Sequence, residues 1–153
     1  MWGKVVSIVF IGEYIHNLDD KNRLMIPAKF REDLSDNFVI TKGLDGCLAL
    51  YTIESWNRLT EKLNTLPFTK KDARNFMRFI ASGANILSFD KQGRIIITNN
   101  LKEHACLEKE CVIIGTIDKI EIWSKTNWDK FNTDNKEQFE IIAEHLFDGE
   151  SGE

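Results

Sequence analysis

Shifted by 71 positions, residues 12–32 of this chain lie on residues 83–103 without a gap. Six of the 21 positions are identical: Gly12/Gly83, Ile15/Ile86, Asp19/Asp90, Arg23/Arg94, Ile26/Ile97 and Glu32/Glu103. Leu18/Phe89, Leu24/Ile95, Met25/Ile96, Phe30/Leu101 and Arg31/Lys102 are conservative exchanges. Small gaps are needed beyond this block, but the order of features persists. Val39-Ile40-Thr41 answers to Val112-Ile113-Ile114, Leu48-Ala49-Leu50-Tyr51 to Glu121-Ile122-Trp123, and Trp56 to Trp128. Such self-similarity means one structural unit used twice. A unit of about 45 residues buries too little surface to be stable alone. The two copies are therefore expected to pack about a pseudo-two-fold axis, which brings their equivalent turns to one side.

Each unit has the same grammar. Tyr14 to Leu18 and Leu24 to Ile26 are short β-rich runs around Asp19-Asp20-Lys21-Asn22-Arg23; Ile86 to Phe89 and Ile95 to Ile97 flank Asp90-Lys91-Gln92-Gly93-Arg94. Asn22 and Gly93 stand where such a turn needs positive φ, which Asn and Gly tolerate best. A helix follows, with Pro27 suited to its first turn and, in the second copy, Asn100 as a cap with Glu103 three residues on. A hairpin closes each unit: Val39–Lys42 with Leu48–Tyr51 around residues 43–46, and Val112–Thr116 with Ile120–Trp123 around residues 117–119. Three amphipathic stripes remain: Trp56, Leu59, Leu63 and Leu66; Ala73, Phe76, Met77 and Ile80; and Phe139, Ile142, Ala143 and Leu146. They are read as helices whose stripes are most simply core, with packing between subunits the lesser reading. The division expected is 12–55 for repeat 1, 56–82 for linking helices, 83–128 for repeat 2 and 129–153 for a C-terminal helix and acidic tail.

Composition removes whole classes of function. With 42% hydrophobic and 29% charged residues the chain is ordinary globular protein. The apolar run Val5–Ile11 is too short to span a bilayer and no small-residue cleavage site follows it, so it reads as part of a strand in a cytoplasmic protein with no membrane partner. Cys47, Cys106 and Cys111 lack any CxxC spacing, and His16, His104 and His145 form no metal-ligand pattern. No metal and no cofactor is expected. Serine-triad, P-loop and dinucleotide fingerprints are absent, so the chain is not read as an enzyme.

The net charge of -4 speaks globally against nucleic acid, yet its distribution is uneven. Residues 19–31 carry +2, 90–102 carry +2 and 70–78 carry +3, which leaves -11 for the rest. Local patches decide phosphate binding. Arg23 and Arg94 are the leading candidates, because a guanidinium presents a planar donor fork to phosphate or to the O6/N7 edge of guanine and never deprotonates. Asp19 and Asp90, four residues earlier, are placed to accept turn amides and orient the arginines. Lys21, Lys91 and Gln92 share the turns with Asn22 and Gly93. Lys29, Arg31 and Lys102 follow as phosphate contacts or a solvated helix face. Residue types alone favour the simpler reading, in which each Asp–Arg pair only staples its turn. The basic patch Lys70, Lys71, Arg74 and Arg78 fits a second phosphate track or, preferably, an acidic neighbouring subunit, since residues 129–153 sum to -6.

At the twin Asp-x-x-x-Arg turns the sequence resembles the MraZ family, bacterial regulators built from two AbrB-like repeats. The resemblance is carried by Gly12-Glu13-Tyr14, Leu18-Asp19, Arg23 to Arg31, Thr41 to Leu48, Leu66 to Arg74, Ser82-Gly83-Ala84, Asp90 to Arg94 and Ile120 to Trp123. It runs from about Phe10 to Leu146. Asn22 stands where the family has Gly, Thr98-Asn99 where it favours prolines, and the first nine residues precede its usual start. The resemblance implies an α+β fold in which two tandem repeats form one pseudo-two-fold barrel of swapped-hairpin type, with additional packing helices. It implies a sequence-specific regulator, a repressor of its own division and cell-wall operon. Its partners would be double-stranded DNA carrying promoter direct repeats and further copies of itself in a ring, at the nucleoid. Under that reading the Asp–Arg turns are DNA contacts. The rival is an oligomeric structural or protein-binding scaffold that does not recognise DNA.

Overall fold

The computed structural model describes residues 8–151. Repeat 1 lays down β1 (Phe10–Asn17), β2 (Arg23–Met25), α1 (Ala28–Leu34), β3 (Phe38–Lys42) and β4 (Leu48–Thr52). Two helices follow, α2 (Ile53–Asn64) and α3 (Lys71–Ser82). Repeat 2 restates the order as β5 (Asn85–Leu87), β6 (Arg94–Ile96), α4 (Asn99–His104), β7 (Glu110–Ile117) and β8 (Ile120–Ser124). It is followed by α5 (Lys125–Asn135) and α6 (Phe139–Ser151). Among the described residues no helix is long and apolar enough to cross a membrane. Of the apolar run expected to form part of a strand, Phe10 and Ile11 open β1, Ile8 and Val9 precede it without strand structure, and residues 5–7 lie outside the described residues.

Six strands form an antiparallel sheet in the order β1-β7-β8-β4-β3-β5. Taken inward from its two ends, this order matches each strand with its counterpart: β1 with β5, β7 with β3 and β8 with β4. The opening strand of each repeat is exchanged: β1 pairs with β7 of the second hairpin and β5 with β3 of the first. β4 and β8 meet in the middle. Strand pairing leaves β1 and β5 as edges, so hydrogen bonding does not close the sheet into a barrel. A separate ribbon pairs β2 with β6, centred on Leu24 opposite Ile95, residues that are 71 apart and therefore equivalent. The axis relating the repeats runs through this pair.

Exchange makes one core from two halves. Leu24 and Ile95, Ile26 and Ile97, and Phe30 and Leu101 are all buried, together with Phe38, Ile40, Leu48, Leu50, Ile113 and Ile122. Phe10 meets Phe30 edge-on at 5.7 Å, which ties β1 to the core. β1 lies so close to β7 that a Cβ at Gly115 would strike the backbone of Phe10 and Ile11. On the other face of the sheet Cys47, Val112, Ile114 and Trp123 form a second cluster roofed by Trp128 and Phe131 of α5. On that face too α3 buries Ala73 and Ile80, and Thr41 Oγ1 donates to the Ile80 carbonyl at 2.6 Å.

Three expectations change in detail. Pro27 precedes α1 as its cap residue rather than lying in the first turn, and its carbonyl accepts from Phe30 and Arg31. Thr98, not Asn100, is the residue before α4, and its hydroxyl donates to Asn100 Oδ1 at 2.6 Å. The third stripe is not core. Phe139, Ile142, Ala143 and Leu146 of α6 are all exposed. The same periodicity serves a buried face and a docking face, and among the described residues only Phe131 of α5 packs on it, against Phe139 at 6.1 Å between ring centroids.

Candidate nucleic-acid interface

The two Asp-x-x-x-Arg turns are built alike. In the first, Asp19 N donates to the Arg23 carbonyl and Asn22 N to the Asp19 carbonyl, both at 3.0 Å. Asp19 Oδ1 accepts from the backbone of Lys21 at 2.9 Å and of Arg23 at 2.8 Å, while Oδ2 takes Arg23 Nε at 2.7 Å. In the second, Asp90 accepts the backbone N–H of Gln92 and of Arg94, both at 2.9 Å, and Arg94 Nε at 2.8 Å. The backbone N–H of each arginine, helped by its guanidinium and the other turn amide, holds both carboxyls below the usual aspartate range. At neutral pH both are charged and both arginines are oriented. Each carboxylate engages its arginine at Nε. Among the described residues the Nη donors of Arg23 have no partner.

Asn22 and Gly93 hold the positive φ the turns require, 61° and 79°. The β2–β6 ribbon carries the turns side by side. Ile26 N donates to the Gly93 carbonyl at 3.1 Å and Ile97 N to the Asn22 carbonyl at 2.8 Å, an equivalent pair of bonds across the axis. Arg94 Nη1 lies 3.8 Å from Asp19 Oδ2, so one carboxylate faces both arginines. Lys21, Lys91 and Gln92 are exposed on the turn tips, and Lys29 is exposed on α1.

Arg31 and Lys102 point elsewhere than at solvent alone. Arg31 Nη1 donates to the Ile26 carbonyl and touches Met25 Sδ, and its guanidinium lies over Gly93, where an added Cβ would come within 2.6 Å of Cζ. Lys102 Nζ donates to Asn22 Oδ1 at 3.1 Å. Asn22 also approaches Asn99 Oδ1 at 3.4 Å. Each repeat thus supplies the side chain that supports the other repeat's turn. Asn99 was not singled out by sequence reasoning. The repeat offset does not reveal it, because its counterpart is Ala28.

The basic patch is separate. Alternation along β3 sends Phe38 and Ile40 into the core beneath the ribbon and Thr41 toward α3, so Lys70, Lys71, Arg74 and Arg78 lie across the sheet from the turns. Among the described residues no group of three or more His, Cys, Asp or Glu side chains is placed to hold a metal.

Comparison with known proteins finds a duplicated match. The family model for the MraZ protein matches twice in tandem, over residues 9–79 and 80–149. The chain belongs to the MraZ family. A relative from Desulforamulus reducens, named "Transcriptional regulator MraZ", is 50% identical over 140 residues, which cover 92% of this chain and 99% of the relative. Each MraZ segment holds the four strands of one repeat, and each carries one Asp-x-x-x-Arg turn; the boundary between the segments falls within the last turn of α3.

Proposed function

We propose that this MraZ-family chain is a sequence-specific DNA-binding regulator of transcription that acts from the nucleoid, without a cofactor, on direct repeats upstream of its own division and cell-wall operon. The juxtaposition of two equivalent Asp-x-x-x-Arg turns on the β2–β6 ribbon carries this reading. Arg23 and Arg94 read base edges or clamp phosphates with donors that Asp19 and Asp90 hold in orientation. Lys21, Lys91 and Lys29 make positioning contacts to the backbone. Gln92 offers the amide group that suits adenine, and Asn22, its own amide held by Lys102 and Asn99, shapes the tip of the first turn. Lys102 and Arg31 serve the interface from behind, by fixing the turns. Lys21-Asn22 and Gln92-Gly93 give the two turns different tips, so the surface has a direction, as head-to-tail DNA repeats require.

The open sheet and the ribbon wrap one core in the swapped-hairpin manner, with the swap made inside one chain. Residues 12–55 and 83–128 act as the DNA-facing repeats, and 56–82 and 129–153 serve assembly into a ring of copies. Each copy engages one DNA repeat, and tethering raises the effective concentration for the next. Occupancy of the promoter then represses the operon. The name carried by the 50% identical relative supports the regulatory role.

Fluorescence anisotropy tests this with duplexes from the protein's own upstream region against scrambled duplexes of equal length. Wild type is expected to prefer the native repeats, with affinity falling steeply as salt rises. Arg23→Ala and Arg94→Ala are each expected to lose about 10- to 100-fold. No preference for the native duplex, with both variants folded and unchanged, returns the turns to structural staples and the chain to a scaffold.

A further inference from the structure

Helix α6 carries an apolar stripe that the described residues leave largely uncovered; at its start Phe139 packs on Phe131 of α5, ring centroids 6.1 Å apart, and the rest of the stripe is exposed. At 100° per residue, Phe139, Ile142, Ala143, Leu146 and Phe147 fall within an arc of about 140°. Their exposure is high, reaching 67% at Leu146 and 64% at Phe147. Glu140 and Glu144, one turn apart, border this stripe. The first repeat shows what a helix in this position does when it has a seat: α3, the second helix after its hairpin, buries Ala73 and Ile80 over β3. The matching strand of repeat 2 is β7, and Trp128 and Phe131 of α5 already roof it.

A complementary surface lies elsewhere on the molecule. Between α2 and α3, Phe68 is 76% exposed beside an exposed Leu66. Arg74 Nη1 donates to the Phe68 carbonyl at 3.0 Å, which holds a basic helix face against that loop. Lys71, Arg74 and Arg78 line this face at i, i+3 and i+7, with Lys70 just before it. In the sheet β8 and β4 stand between β7 and β3, about 14 Å apart at the usual strand spacing, so the acidic helix and the basic patch belong to different halves of the molecule.

We propose that α6 of one copy docks its apolar stripe on the Phe68 patch of the next copy, with Glu140 and Glu144 facing Arg74 and Arg78. The two surfaces differ, so the contact is head-to-tail and propagates from copy to copy until it closes. This inference rests on the self-assembling reading above and supplies the contact that assembles it. An acidic border disfavours an anionic membrane as the occupant, and a basic patch on the same chain supplies the matching charge.

The test is the native mass of the full chain, without DNA, by light scattering behind gel filtration. Leu146→Glu and, separately, Phe68→Glu are expected to fall from the wild-type assembly to a single chain with circular dichroism unchanged, since both residues are exposed. Mixed in equal amounts, the two variants retain one intact helix and one intact patch, and are expected to form a dimer that extends no further. Arg74→Glu with Arg78→Glu is expected to weaken assembly, and Glu140→Lys with Glu144→Lys in the same chain to restore it. Wild-type mass in both single variants, or a mixture that stays monomeric, overturns the docking and assigns α6 to another partner. A wild type that is itself monomeric removes the ring as well. Either result leaves the duplex titrations of Arg23→Ala and Arg94→Ala to be judged alone.

Discussion

Within the turn, repeat 1 and repeat 2 make the same hydrogen bonds to within about 0.1 Å, yet what stands over each turn differs. Gly93 lies beneath the Arg31 guanidinium, which would have to shift to admit a Cβ. Asn22 fills the equivalent place with a side chain that accepts from Lys102 and approaches Asn99. Arg31 and Lys102 are themselves equivalent, 71 residues apart. A broad guanidinium over glycine and a slim ammonium over asparagine are two solutions to one packing problem. Because each supporting side chain comes from the opposite repeat, a change in one repeat is answered in the other.

Exchanging the solutions should break the symmetry most. Gly93→Asn places a Cβ against Arg31 at φ 79° and is expected to cost about 1–3 kcal/mol, a fall in Tm of about 2–12 °C. Asn22→Gly removes strain along with two weak bonds and is expected to stay within about 1 kcal/mol of wild type. Adding Arg31→Lys to Gly93→Asn recreates the first turn at the second site and should recover most of the lost Tm. A double variant no better than Gly93→Asn would show that the guanidinium is not what excludes the side chain.

Removing the supports gives a smaller contrast. Arg31→Ala loses a bond to the buried Ile26 carbonyl as well as packing on Gly93, about 1 kcal/mol. Lys102→Ala is expected to cost only a few tenths of a kcal/mol. Equal thermal shifts for the two would mean that the difference over the turns has no energetic weight.

The carboxylates sharpen the comparison further. Asp19 faces Arg23 and Arg94, whereas among the described residues Asp90 forms its ion pair with Arg94 only. Arginine Nε–H resonances report this: Asp19→Asn should move both signals, and Asp90→Asn only that of Arg94. The smallest effect is with pH. Both carboxyls are held below the ordinary aspartate value, so the stability they contribute is present above about pH 4 and is lost as pH falls through the lowered values. The amide signals of Lys21 and Arg23 should titrate there together with those of Gln92 and Arg94.

Much of this was legible in the sequence because it is local. The offset of 71, the five-residue turns and the positive-φ position depend on neighbours a few residues apart. The pairing of β2 with β6 is not local: three-residue strands carry no alternation long enough to name a partner. The contact of Arg31 with Gly93 joins residues 62 apart and appears only once the ribbon brings the repeats together. The cap of α4 was misplaced by two residues because Thr98, Asn99 and Asn100 all have side chains able to cap, and only tertiary packing selects among them. α6 was misread for another reason: amphipathic spacing records that a face seeks cover and says nothing about whose.

Exchange of the opening strands also sets a timetable for the growing chain. Ile15 of β1 pairs with Val112, 97 residues further on. At about 5–20 residues per second, β1 waits some 5–20 s after synthesis before its partner strand exists. During that interval its main-chain groups have no native partner and Phe10, buried in the finished fold, has no complete core to enter, the state in which strand edges recruit one another. A chain that ends before Glu110 therefore lacks the strand its first strand pairs with, and the fold is completed only when the second hairpin arrives.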